Sequence, residues 1–161
     1  DNFLQDEFAP LFEEQGIKHL AFCELGFRHF TTNGKEIKSA ADLKGQSIRV
    51  QEATIWFALA DALGFIATPI AFNELYTALQ QGTIDAQENP LSVITSSRFN
   101  EVQDYLSMTE HVYSAAPLMV SKAAYDALPD DLKAIVDEAG VEACQWEREY
   151  LAEVEVQWLD E

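Results

Sequence analysis

Thr68-Pro69-Ile70-Ala71-Phe72-Asn73-Glu74-Leu75-Tyr76-Thr77-Ala78-Leu79-Gln80-Gln81-Gly82-Thr83-Ile84-Asp85-Ala86-Gln87-Glu88-Asn89-Pro90 is the stretch on which the reading of this chain turns. Pro69 closes a short extended run. Asn73 is placed to cap a helix, because its side-chain carbonyl accepts from an otherwise unpaired backbone N–H. Leu75, Ala78 and Leu79 follow at helical spacing, and Gly82 supplies the left-handed residue that ends the helix. Asp85 to Asn89 reads as a polar turn between apolar segments, and Pro90 can open a further helix. The expected order is strand, short helix, strand, polar turn, helix. Polar turns after strands are where open α/β sheets place ligands.

Outward from this stretch the chain keeps alternating. Residues 2–15 read as a helix with Phe3, Leu4, Phe8, Leu11 and Phe12 on one stripe, closed by Gly16. Ile17 to Thr32 reads as extended, and Asn33-Gly34 as a turn. A short capped turn covers Ser39 to Gly45, a strand Gln46 to Gln51, a helix Thr54 to Leu63 ended by Gly64, and a strand Phe65 to Ile70. Trp56 and Phe57 fall at core spacing on that helix. Leu91 to Val102 reads as helical, then Tyr105 to Thr109 and His111 to Ser121 as extended. Pro117 in the second run implies a sheet edge, a bulge or a crossover. Ser121 caps a helix over Ala123 to Ala127, and Leu128-Pro129-Asp130-Asp131-Leu132 opens a longer one of about 30 residues. Its expected stripe is Leu132, Ile135, Val136, Ala139, Ala143, Cys144, Tyr150, Leu151, Val154 and Trp158, with Gly140 a weak point that permits a bend.

The bulk properties narrow the function classes. The chain has 161 residues, 48% hydrophobic and 11% aromatic, a composition that packs rather than staying disordered. No apolar run approaches the ~20 residues that cross a bilayer. The first residues read as the middle of a helix without a leader, so a fragment or a trimmed mature chain is expected. Net charge is −18, which argues against nucleic acid and against anionic membrane surfaces, since both need clustered Lys and Arg. The acidity concentrates between Asp126 and Glu161, with 12 acidic residues against 2 basic ones, and reads as a solvated face. Cys23 and Cys144 form no CxxC. They permit a disulfide in an oxidising compartment, but their apolar neighbours favour buried free thiols. His19, His29 and His111 lack metal-ligand spacing and read as satisfied structural histidines. There is no HExxH, GxSxG, P-loop or dinucleotide fingerprint, so neither a metal nor a cofactor is expected.

The organising stretch resembles the signature of the substrate-binding proteins of tripartite ATP-independent periplasmic (TRAP) transporters, of the DctP type. Ala86 stands where that pattern usually has Gly. Gly26-Phe27-Arg28, the run Ile37 to Val50, Ala62-Leu63-Gly64, Phe99 to Leu106 and Thr109-Glu110-His111 look like further blocks of the same family. The resemblance is good from residue 26 to about 140 and looser at the flanks. It implies a two-lobed α/β fold of the periplasmic-binding-protein kind (type II-like), with a long lobe-spanning helix. Members run to about twice this length. On that reading residues 1–25 end lobe 1, residues 26–114 form the ligand-clamping lobe 2, and residues 115–161 return to lobe 1 with the long helix. The chain would lack the N-terminal part of lobe 1 and the C-terminal tail. The resemblance further implies a periplasmic monomer that is not an enzyme. It would hold a small organic acid and deliver it to the TRAP membrane subunits, without inserting into the membrane itself.

Five residues are candidates for holding that acid. Arg49 presents a planar fork of donors that suits a carboxylate. From its strand pattern alone a surface arginine is the alternative, whereas the resemblance makes it the carboxylate clamp. Arg28 matches a second family arginine, against the alternative of a structural ion pair. Asn89 both donates and accepts. The family's Glu-Asn-Pro asparagine contacts the ligand acid group, while capping before Pro90 is the plain reading. Phe72 looks like the aromatic that packs on the ligand, or else a core residue. Glu52 suits a hydroxyl-bearing or cationic ligand group, or pairs with Arg49 or Lys44. Glu74, Tyr76 and Glu88 read as structural, through capping and packing. Two other classes stay open on the residues: a small α/β enzyme acting on a carboxylate, and an acidic protein-interaction domain.

Overall fold

The structure is a computed structural model that describes residues 2–159. The side chains of Asn2, Leu4 and Gln5 are outside the description, so the expected place of Leu4 in an apolar stripe falls outside the described residues. The chain divides into two compact units, Asp1–Leu25 with Ser114–Glu161, and Gly26–Tyr113. The elements run α1 (Asn2–Glu14), β1 (Ile17–Thr32), a 3-10 turn (Ala40–Leu43), β2 (Ser47–Val50), α2 (Thr54–Leu63), β3 (Ile66–Pro69) and α3 (Phe72–Gln80). They continue with β4 (Ala86–Pro90), α4 (Leu91–Ser96), a second 3-10 turn (Phe99–Glu101), β5 (Tyr105–Ser121), α5 (Lys122–Asp126) and α6 (Asp130–Trp158). The strands form one five-stranded sheet in the order β3-β2-β4-β1-β5. β2 runs parallel to β3 and β4, and β1 runs antiparallel to β4. β5 is the edge strand, which is where a strand carrying Pro117 is tolerated.

In the unit Gly26–Tyr113 the two βα passages, β2-α2-β3 and β3-α3-β4, bring short parallel strands side by side. Phe30, Ile48, Val50 and Ala86 on the sheet meet Ala60 on α2 and Phe65, with Leu59 and Leu63 packed against them. Each helix stops for a local reason. Gly64 caps α2 at φ 79, and Gly82 at φ 67 follows the last turn of α3. Thr83 N then reaches back to the carbonyl of Ala78 at 3.0 Å.

The structure corrects the reading of the organising stretch at several points. Asn73 does not cap α3. The helix starts one residue earlier, at Phe72, with Ala71 as its N-cap and no side-chain cap. Asp85 to Asn89 is not a turn: residues Ala86–Pro90 form strand β4, buried along its whole length between β1 and β2. The segment expected to be helical to Val102 breaks after Ser96, where Arg98 takes φ 58. The two expected extended runs are one strand, β5, with a left-handed residue at Glu110 (φ 49) between them. Phe57 is 38% exposed rather than core.

The unit holding the termini contains α1, the first half of β1, the second half of β5, α5 and α6. Cys23 and Cys144 are joined in a disulfide, which overturns the expectation of free thiols. The bridge ties β1 to α6 across 121 residues of sequence. The 29 residues of α6 bury only a narrow face, made by Gly140, Cys144, Leu151 and Val154. Leu132, Ile135 and Tyr150 from the expected stripe are 43%, 59% and 45% exposed. At 100° per residue they lie about 80–140° around the helix from Gly140, so they miss the packed side.

Gly140 marks a close approach. A Cβ there would lie 3.0 Å from Leu20 Cβ and 3.7 Å from Leu118 Cδ2. In an open helix Gly→Ala gains about 1 kcal/mol. Here the clash should outweigh that gain, and Gly140→Ala is expected to lower stability by about 1–2 kcal/mol. Urea unfolding compared with an exposed helical substitution such as Glu138→Ala checks this; a stabilised Gly140→Ala would refute the close-packing account.

His19 is also not the satisfied structural histidine expected. It is 2% exposed, lies between Phe12 and Phe22, and neither ring nitrogen has a hydrogen-bond partner among the described residues. Burial is the largest cause that lowers its pKa from 6.5, partly offset by the Ala21 backbone. A depressed pKa means the neutral form is favoured on folding. The stabilising contribution is therefore complete above about 6.5 and is lost as pH falls through the folded-state value. Thermal midpoints across that range should fall more steeply for the wild type than for His19→Phe, and parallel curves would contradict this.

Candidate ligand-binding site

All five candidate residues lie in the unit Gly26–Tyr113: Arg28 on β1, Arg49 near the end of β2, Asn89 near the end of β4, Phe72 at the start of α3 and Glu52 in the bend before α2. Side chains alternate along strands, and the register pairs Arg28 with Pro90, His29 with Asn89, Phe30 with Glu88 and Thr31 with Gln87. One face of β1 and β4 therefore carries Arg28, Phe30 and Glu88. The other carries His29, Thr31, Gln87 and Asn89.

Arg49 sits near the end of β2 and is 4% exposed, so it is not the surface strand arginine that its pattern allowed. Its Nε donates to the Ile70 carbonyl at 3.0 Å. The guanidinium lies 5.8 Å from the Phe72 ring centroid. Its Nη1 is buried with no hydrogen-bond partner among the described residues. Burial lowers the Arg49 pKa from the ordinary arginine value; Glu88 acts against this and Arg28 adds to it. The side chain remains cationic all the same. A buried cation with an unmatched donor is costly, and an anion with a planar pair of oxygens removes that cost.

Arg28 is equally buried but held by protein. It forms a buried ion pair with Glu88 through Nε and Nη2. Nη2 also donates to the Glu88 carbonyl at 2.8 Å and to Asn89 Oδ1 at 2.9 Å. The guanidinium stacks 4.9 Å from the centre of the Trp56 ring. His111 Nε2 reaches Glu88 Oε2 at 3.3 Å, and its ring stacks on Phe30 at 4.3 Å. Glu88, read in sequence as a capping or packing residue, is the fully buried counter-ion of this cluster. The strand parity of β4 is the signal that places it with Arg28, and it was hidden while residues 85–89 read as a turn.

Asn89 is 3% exposed and bridges the two faces, accepting from Arg28 and donating through Nδ2 to Gln87 Oε1. It does not cap a turn before Pro90, because it lies within the strand. Phe72 is 49% exposed and meets Phe99 edge-on at 5.9 Å, so it is a rim aromatic and not a core residue. Glu52 is exposed in the bend before α2 and makes no ion pair with Arg49 or Lys44. The structure thus brings Arg28, Glu88 and Asn89 into one bonded cluster within electrostatic reach of Arg49, with Phe72 on Arg49, and leaves Glu52 outside it. Gln87 is the residue that sequence reasoning passed over. Among the described residues no group of His, Cys, Asp and Glu is arranged to hold a metal ion.

A mixed sheet that buries Arg28, Arg49 and Asn89 together, with one guanidinium nitrogen unpartnered among the described residues, is an α/β arrangement with the donors that an anion needs. The chain belongs to the bacterial extracellular solute-binding proteins of family 7 (DctP), whose family model matches residues 2–161. It is 44% identical over 140 residues to a solute-binding protein of Verminephrobacter eiseniae, covering 86% of this chain and 42% of that protein. It is 35% identical over 160 residues to the 2,3-diketo-L-gulonate-binding periplasmic protein YiaO of Escherichia coli, covering 99% of this chain and 49% of the other. A crystal structure of a TRAP periplasmic solute-binding protein from Bordetella bronchispeptica, its bound density interpreted as pantoate, superposes with a TM-score of 0.93. That structure is 42% identical, with 99% of this chain and 53% of the other covered. The chain spans about half the length of the curated relatives it matches. Among the described residues no helix is long and apolar enough to cross a membrane.

Proposed function

We propose that this chain carries the carboxylate clamp of an extracytoplasmic, periplasmic solute-binding protein. It captures a small hydroxylated organic acid and passes it to the membrane subunits of a TRAP transporter. The observation that carries this reading is the buried Nη1 of Arg49, unpartnered among the described residues, on a guanidinium already oriented by the Ile70 carbonyl and the Phe72 ring. A carboxylate supplies the missing acceptors, and Asn89 donates to the same group or to a neighbouring hydroxyl. Arg28, locked by Glu88, contributes charge and holds Asn89. The ligand leaves unchanged, as delivery by a solute-binding protein requires. Binding then acts by population shift, stabilising whichever arrangement of the protein holds the ligand best.

Two neighbours point to the ligand class. The relative named for 2,3-diketo-L-gulonate and the structure with pantoate both concern acids rich in oxygen acceptors. A thermal-shift screen of the full-length protein against sugar acids, hydroxy acids and C4-dicarboxylates tests the proposal. A ligand at a hundred times its dissociation constant adds about 2.7 kcal/mol. A raised midpoint for one acid class supports the reading. No rise with any acid removes it and restores the acidic interaction domain.

A further inference from the structure

We infer that Gln87 is a positioning residue for ligand binding, which fixes the side-chain amide of Asn89 so that it offers the ligand an N–H donor and not a carbonyl. The inference rests on the reading of Asn89 as a ligand contact and goes beyond it, because Gln87 itself belongs to no part of the proposed clamp. It sits on β4 two residues before Asn89, on the same face, and is wholly buried.

The direction of the hydrogen bonds carries the argument. An asparagine amide has nearly the same shape in either flipped orientation, so only its partners decide which end is which. Arg28 can only donate, and its Nη2 faces Asn89 at 2.9 Å, so the atom it meets must be the carbonyl Oδ1. Asn89 Nδ2 then donates to Gln87 Oε1. That turns Gln87 Nε2 toward Thr31 Oγ1, to which it donates at 2.7 Å. With its oxygen accepting from Gln87, the Thr31 hydroxyl donates onward to Gln103 Oε1 at 3.0 Å. Gln103 Nε2 closes the run by donating to the Val102 carbonyl at 3.2 Å.

Every bond in the run therefore points the same way, from Arg28 to the Val102 carbonyl. Flipping Asn89 would set two donors against each other at Arg28 and two acceptors at Gln87. Buried groups facing a like partner lose the bond and keep its desolvation cost, so the orientation is strongly held. Asn89 Nδ2 carries two N–H groups, and one of them is committed to Gln87. The other is the donor left for a ligand oxygen. The site should accordingly favour a carboxylate or ketone oxygen at this point over a group that can only donate.

The test uses the full-length protein with Gln87→Met, which keeps the length of the side chain and removes its polar atoms. In ligand-free protein the Asn89 side-chain amide is followed by 15N-resolved NMR and assigned by its loss in Asn89→Ala. Wild type should show two resolved protons protected from exchange with water. In Gln87→Met their exchange should quicken by at least about tenfold, while backbone protection of β4 stays as it was. Unchanged side-chain exchange would overturn the inference.

The second arm measures pantoate affinity in a double-mutant cycle. Gln87→Met should weaken binding by about tenfold in the native background and by less than about twofold when Asn89 is already alanine. An equal loss in both backgrounds would make Gln87 merely structural and refute the role. If wild type does not bind pantoate, that counts against the ligand class, and the NMR arm decides on Gln87 independently.

Discussion

Arg49→Ala should abolish the thermal shift produced by any acid that stabilises the wild type, and weaken its binding by at least about 30-fold. Truncating one partner of a buried, hydrogen-bonded charge pair costs about 2–5 kcal/mol, and 2 kcal/mol corresponds to about 30-fold. The ligand-free protein should behave differently. There the guanidinium is desolvated, with Nη1 lacking an acceptor among the described residues. Removing it relieves an unpaid desolvation cost, so the unliganded variant should melt at the wild-type temperature or above. Arg49→Lys should not restore binding. An ammonium cannot keep the Ile70 contact, lie against Phe72 and meet two carboxylate oxygens together. Calorimetric titration of the three proteins with the acid that gives the largest shift measures this. Retained affinity in Arg49→Ala would move the clamp elsewhere, and a large fall in ligand-free stability would show Arg49 to be structural.

Breaking the Cys23–Cys144 bridge should produce the largest stability change of any local alteration. The bridge closes 121 residues of chain, so it restricts the unfolded ensemble severely. The chain-entropy treatment gives about 4–5 kcal/mol for a loop of this order, and losses of about 2–5 kcal/mol are typical. For a chain of this size each kcal/mol moves the thermal midpoint by about 2–4 °C, so a fall of roughly 10 °C is expected on reduction. The double variant Cys23→Ala with Cys144→Ala should reproduce it without reductant and become insensitive to reductant. Denaturant unfolding with and without dithiothreitol provides the measurement, with intact mass reporting the two-hydrogen difference. A wild type indifferent to reductant would mean that the bridge is not formed in solution. The pair also suits an oxidising compartment, in keeping with the extracellular family to which the chain belongs.

The organising stretch shows where sequence reasoning holds and where it stops. Local chemistry was enough for α2, whose Gly64 terminates it, and for α5, where the Ser121 hydroxyl accepts from Ala124 N at 3.4 Å. It narrowed the strand carrying Pro117 to an edge, a bulge or a crossover, because a residue without an N–H cannot serve an inner strand on both sides, and the assembled sheet made it the edge. β4 was misread for the opposite reason. Gln87, Glu88 and Asn89 look like a turn because polar side chains usually seek water. In the fold they are paired with Thr31 and Arg28, distant in sequence, as well as Asn89 with Gln87. Burial of a polar strand is therefore a property of its neighbours, which no local window contains.

The cysteines and the long helix follow the same division. Their residue types announced buried thiols and a helix, but pairing depends on Cys144 meeting Cys23 across the β1–α6 packing. The narrow buried face of α6 depends on where Leu20 and Leu118 press against Gly140. The sequence by itself determined most of the alternation of strands and helices, the end of α2 at Gly64, the family and the identity of the arginines, all carried by short-range pattern or chemical type. The tertiary structure decided which arginine is spent on Glu88 and which keeps a free donor, and joined the cysteines. It also left Glu52 outside the bonded cluster of Arg28, Glu88 and Asn89. Those outcomes turn on hydrogen-bond and ion-pair partners many residues apart, whose distances exist only once the sheet is assembled.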